Sequence, residues 1–202
     1  MKKVNIVQNI LIGAGVFLLV FLPTLSIFVD IGYGAKGMLF IVSFTAAVLL
    51  MIIRPVADIF DEQRWLKKYI ALRKGLGILS ASIIVGFMIQ SIIAPDSVYL
   101  ASLLMARYYS LTNYALLAHI GDLSGLILLL TSNRWSQRIL KGNWKRVQKL
   151  AYPYFYAGGL YEALYLNSAF AIFAMFVVTG LVLFAWTVKR LSRLKENQLA
   201  FE

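Results

Sequence analysis

Six long apolar runs, separated by short polar stretches, organise the chain. Ile10–Val29 runs for 20 residues without a charge, and about 20 apolar residues are enough to cross the hydrocarbon core of a bilayer. Gly37–Ile53 follows, closed by Arg54-Pro55, and Gly75–Ala94 is stopped by Pro95-Asp96. Leu111–Thr131 is the fourth run. Leu150–Leu166 is the fifth, with Pro153 in its first turn and Gly158-Gly159 at its middle, and Ser168–Val188 is the sixth. Pro23 falls inside the first run, where a membrane helix tolerates it. The pattern predicts an all-α polytopic membrane protein, a bundle of six transmembrane helices.

The polar stretches predict the rest. Residues 56–74 set Trp65, Leu66, Tyr69 and Ile70 among Asp58, Asp61, Glu62, Arg64, Lys67 and Lys68, the composition of a short interfacial helix. Ser97–Arg107 is modestly amphipathic and is expected on the far surface. Residues 132–149 read as a basic loop and Lys189–Glu202 as a polar tail. Trp65, Trp144 and Trp186 suit interfacial belts, and Tyr152, Tyr154 and Tyr156 suit belt and packing positions.

Charge then orients the bundle. All but Lys36 and Arg107 of the 20 Lys and Arg lie at the N-terminus, after the second run, after the fourth, or in the tail. Such asymmetry is what the positive-inside rule gives for six spans with both termini cytoplasmic. The expected location is therefore the cell membrane, with the lipid bilayer as principal partner. The net charge of +11 is topological and does not point to nucleic acid. Lys2 and Lys3 before an apolar run also suit a signal peptide. The run is longer than a signal core, however, and no small-x-small site follows closely, so a retained span is expected. The chain has no cysteine, which excludes disulfides, iron–sulfur clusters and thiolate metal sites. His119 is its one imidazole.

Short motifs sit at defined places on this map. Arg73-Lys74-Gly75-Leu76-Gly77 opens the third span and Thr131-Ser132 closes the fourth. Leu140, Trp144, Val147, Gln148, Leu150 and Tyr152 lead into the fifth. In order and spacing they resemble the ferric reductase-like transmembrane domain, above all its haem-binding membrane subunits that serve bacterial periplasmic methionine sulfoxide reductase. The resemblance covers about residues 40–187 and implies a core over 37–188, an extra N-terminal helix within 1–36 and a cytoplasmic tail over 189–202. It also implies a membrane or periplasmic protein partner.

In that family histidines on the third and fifth spans ligate b-type haem. The corresponding positions here are Phe87, Gln148 and Tyr161, and the glycine of the family's Leu-Gly-x-x-Trp motif is Lys141, with Gly142 one place late. Gln148 and Tyr161 are thirteen residues apart, which at about 1.5 Å per residue puts two ligands roughly 20 Å apart on one helix face. Haem iron needs imidazole, thiolate, thioether or phenolate. Phe87 has no donor, Gln148 is a poor ligand, and Tyr161 ligates only as phenolate. No haem is expected; one atypical haem b on His119 or Tyr161 is the alternative.

The polar residues inside the spans carry the remaining signal. His119 and Asp122 are spaced i, i+3 on one face of the fourth span, and Tyr161 and Glu162 follow on the fifth. With Arg107 just before the fourth span, and with Gln90, they predict a polar cluster in the outer half of the bilayer. Ionisable side chains within spans are expensive and face partners or cavities. Either the cluster is a proton, ion or small-ligand site, or it is a satisfied structural network reaching the head groups. Gly158-Gly159 is expected to permit close helix packing, with a ligand pocket as alternative. Three functions follow: a haem-free partner or scaffold subunit without catalysis of its own, an electron carrier with one atypical haem or a partner's quinone or flavin, or a small proton- or ion-coupled transporter.

Overall fold

The computed structural model describes residues 2–29, 32–60, 63–94, 97–109 and 114–199. Side chains 2, 64, 134 and 193–199 are also outside the description. The Pro95-Asp96 stop, Asp61, Glu62 and Leu111 lie outside the described residues. All regular structure among the described residues is helical. The long helices are α1 (Lys2–Phe28) and α2 (Tyr33–Ile59). After the short α3 (Arg64–Lys67) comes α4 (Leu72–Ile93). The short α5 (Tyr99–Ser102) precedes α6 (Ala115–Thr131). Short helices α7 (Arg134–Leu140) and α8 (Trp144–Val147) lead to α9 (Ala151–Tyr165) and α10 (Ala169–Leu199).

Helices occupy all six apolar runs, but their lengths differ. Four stretches are long and apolar enough to cross a membrane: Lys3–Phe28, Tyr33–Ile59, Trp65–Ile93 and Ala169–Ser192. Ala115–Thr131 and Trp135–Tyr165 meet at a 92° bend and would together make a fifth. Singly, α6 has 17 residues and α9 has 15.

Two expectations about boundaries are corrected. Arg54-Pro55 does not close the second helix; α2 continues to Ile59. Pro55 forfeits one helical hydrogen bond, but Arg54 and Asp58 pair at 3.8 Å one turn apart, and Arg73 Nε donates to the Leu50 carbonyl at 3.2 Å. Both contacts hold the turns around the proline. Residues 132–149 are not a loop. Asn133 caps α7 by accepting from the Ser136 backbone N–H at 2.7 Å, and helical turns continue to α9. The cap satisfies an otherwise orphaned donor, a local contact that basic composition does not reveal.

Four helices form the centre: α4 packs on α2 and α6, and α9 packs on α6, α2 and α10. Helix α1 lies against α4, and α10 against α2. The α1–α4 seam is tight because Gly15 meets the backbone of Leu79, where an added Cβ would stand 3.1 Å from its Cα, and Gly75 meets the Gln8 carbonyl likewise at 3.1 Å. Between α2, α9 and α10, Phe44 stacks on Phe155 at 5.5 Å among Ala47, Val48, Ala171, Ala174 and Val178. The buried set is rich in Ala and Ser, whereas Ile10, Phe17, Ile41, Leu130, Leu164, Phe173, Phe176 and Phe184 are exposed. Small residues inside with large apolar ones outside is the distribution of helices packed in lipid, where close backbone approach replaces hydrophobic burial.

Candidate functional site: an acidic cavity between four helices

Phe40, Ser43, Phe44 and Ala47 recur every three or four residues along one face of α2, and so do Ser80, Ile84, Phe87 and Ser91 along α4. Leu117, Ala118, Gly121 and Asp122 do the same on α6, and Tyr154, Phe155, Gly158, Tyr161 and Glu162 on α9. These four faces converge on a cavity of about 190 Å³ that also takes in Tyr99 of α5. The helical period thus turns scattered polar positions into one wall each.

Glu162 is 2% exposed, and neither of its carboxylate oxygens has a hydrogen-bond partner among the described residues. Burial of an ionised group without a partner is costly, so this carboxyl calls for a proton, a cation or a ligand's donor group. Asp122, across on α6, is served: the Tyr99 hydroxyl donates to its Oδ2 at 2.5 Å. Burial first, and then the adjacent Asp122, push the Tyr99 phenol well above its ordinary range, so it stays protonated and able to donate. Deeper in, the Tyr154 and Ser80 hydroxyls are 2.8 Å apart, and Ser43 donates to the Ser80 carbonyl at 3.0 Å.

A more open recess adjoins the cavity and shares Ser91, Tyr99, Ala118 and Tyr161 with it. His119 lines this recess. It is 4% exposed, with Nε2 at 3.2 Å from Ser102 Oγ, Nδ1 without a partner among the described residues and its ring edge-on to Tyr99. The start of α6 and the end of α9 meet here, which makes the two helices antiparallel.

The expected cluster is therefore brought together in part. Asp122, Tyr161 and Glu162 share the cavity, and His119 stands next door. Arg107 does not join them: it is exposed, with its guanidinium over the Tyr108 ring at 4.9 Å. Gln90 Oε1, on α4, is buried without a hydrogen-bond partner among the described residues. Tyr99, Tyr154, Ser43 and Ser80 were not foreseen as site residues. Tyr154 was expected in a belt or packing role, but Gly125 on α6 leaves room for its ring, with an added Cβ 3.0 Å from Tyr154 Cε2. The 40/43/44/47 spacing on α2 was the available signal. Tyr156 likewise bonds inward, to Thr179 at 2.7 Å.

Both readings of Gly158-Gly159 have a place. A Cβ on Gly159 would meet Met175 Sδ at 2.7 Å and Phe44 at 3.0 Å, whereas one on Gly158 would meet nothing within 4 Å, because Gly158 borders the cavity.

The three positions that the resemblance sets against haem ligands lie in different surroundings. Phe87 is buried and stacks on Phe40 at 4.9 Å. The Gln148 side chain donates to Thr131 Oγ1 at 3.4 Å, beside the Trp144 indole N–H bonded to the Thr131 carbonyl at 3.0 Å. Of the three, only Tyr161 both lines the cavity and carries a side-chain oxygen. Among the described residues no three His, Asp or Glu are grouped to hold a metal ion. Comparison with protein-family models, curated proteins and solved structures returns no match for this chain.

Proposed function

We propose that the protein is a six-span cell-membrane protein, both termini cytoplasmic, that takes a proton, ion or small ligand into the acidic cavity as a small proton- or ion-coupled transporter. The observation that carries this reading is Glu162, buried at the cavity with neither carboxylate oxygen partnered among the described residues. Polar groups kept inside a membrane bundle at such cost mark pathways and binding sites. In support of six spans, α6 and α9 run antiparallel as neighbours, as two separate crossings would. Their 17 and 15 residues reach about 26 and 23 Å at 1.5 Å per residue, short of the roughly 30 Å core, so the bilayer thins locally around them.

A second reading, a haem-free relative of the ferric reductase-like domain acting as a partner subunit, draws support from one backbone feature. Lys141 adopts φ 45° and ψ −120°, a conformation suited to glycine, and it stands where that family's motif has glycine. A two-haem electron relay is not proposed, because Phe87 has no donor atom and Gln148 is a poor axial ligand.

The experiment is ion and proton flux in proteoliposomes for the wild type, Asp122→Asn and Glu162→Gln. Flux in the wild type that falls to background in Glu162→Gln, as for a carboxyl on the transport pathway, is the predicted result. Equal, background flux in all three removes the transporter reading and leaves the partner subunit.

A further inference from the structure

Resting on the cavity reading above, we infer that the ligand is a small organic ammonium ion, held by Glu162 against an aromatic wall. Phe87 stacks on Phe40 at 4.9 Å, and Phe40 lies 6.3 Å from Tyr161, so three rings from α4, α2 and α9 adjoin one another along the cavity lining. Phe44 and Phe155, stacked at 5.5 Å, bound the cavity elsewhere. Aromatic faces attract cations through their quadrupole, most strongly when the cation is desolvated, and they recognise alkylammonium groups in this way.

The alternatives fit less well. No Lys, Arg or His lines the cavity among the described residues, so an anion meets Asp122 and Glu162 with no cation to balance its charge. A bare metal ion needs several oxygen ligands to replace its water. Here the Ser43, Ser80 and Tyr154 hydroxyls engage one another, and most of the remaining wall is hydrocarbon. A neutral apolar guest leaves the Glu162 carboxyl unpaired. The volume of about 190 Å³ is below the roughly 300–1,000 Å³ of pockets for drug-sized ligands, which restricts the guest to a head group such as trimethylammonium. Entry runs from the recess between Tyr99 and Tyr161, the two rings common to both spaces.

Calorimetric titration of the purified full chain in detergent tests this with choline, tetramethylammonium, sodium, and the neutral isostere of choline in which carbon replaces nitrogen. The expected result is saturable binding of both ammonium ions, with the isostere and sodium weaker by at least about tenfold. Glu162→Gln lowers choline affinity by about tenfold or more, and Phe40→Leu lowers it severalfold, each with an unchanged gel-filtration profile. Equal binding of choline and its isostere, or choline affinity unchanged in Glu162→Gln, overturns the inference. Should a variant fail to fold, the wild-type comparison of choline with its isostere decides alone. If ammonium ions do not bind while proton or metal-ion flux still depends on Glu162, the ligand class is wrong and the transporter reading stands. If neither binding nor Glu162-dependent flux is found, both fall.

Discussion

Two carboxyl groups on facing helices have opposite fates. Asp122 accepts a hydrogen bond from Tyr99 at 2.5 Å, while Glu162 accepts none among the described residues. Asp122 is half-buried, so Tyr99→Phe should destabilise the protein by about 1 kcal/mol, the net worth of a typical hydrogen bond, and Tyr99→Phe with Asp122→Leu should recover part of that loss. Chemical denaturation in detergent measures both. Lys141 gives a prediction of the opposite sign. At φ 45° a side chain is strained, so Lys141→Gly should raise stability by about 1 kcal/mol, read as a higher melting temperature. An equal or lower value would mean that the backbone there is relaxed. His119 and Asp122 were legible in the sequence because charge inside an apolar run is conspicuous. Their partners Ser102 and Tyr99 were not, since serine and tyrosine are unremarkable in a surface segment until the fold lays that segment over the bundle.

Among the helices, α9 shows how one strand of sequence serves two neighbours. Gly159 turns to α10 and α2, and Gly158 to the cavity. Gly159→Ala should cost about 1–3 kcal/mol, because Phe44 and Met175 must both move in a packed seam. Gly158→Ala should keep wild-type stability yet weaken choline binding, since its methyl group takes up cavity space. Equal melting temperatures for the two variants would contradict this division of roles. The positions of α1, α2, α4, α6, α9 and α10 were readable from hydrophobic runs alone, for length and lack of charge do not depend on packing. Helix ends were less readable: α2 passes Pro55, and the basic stretch after Thr131 is helical, because the Asn133 cap and the Arg54–Asp58 pair are local contacts that composition does not reveal.

The bundle taken together is four cavity-lining helices with α1 and α10 on its flanks, and many large apolar side chains cover its outer surface. Its orientation is open to a clean test, because the chain has no cysteine. Single cysteines replacing Lys36 and Lys145, probed with an impermeant maleimide in intact cells, should be labelled at residue 36 only; labelling at 145 would reverse or break the six-span topology. The account as a whole turns on whether Glu162 is a buried carboxyl at a space that small molecules can enter. Treatment of the membrane-embedded protein with a small apolar carbodiimide, followed by peptide mass spectrometry, asks this directly. The predicted result is an adduct on Glu162 that forms ahead of any on Asp122 and is suppressed by choline. An unmodified Glu162 under conditions that modify other carboxyls would contradict it.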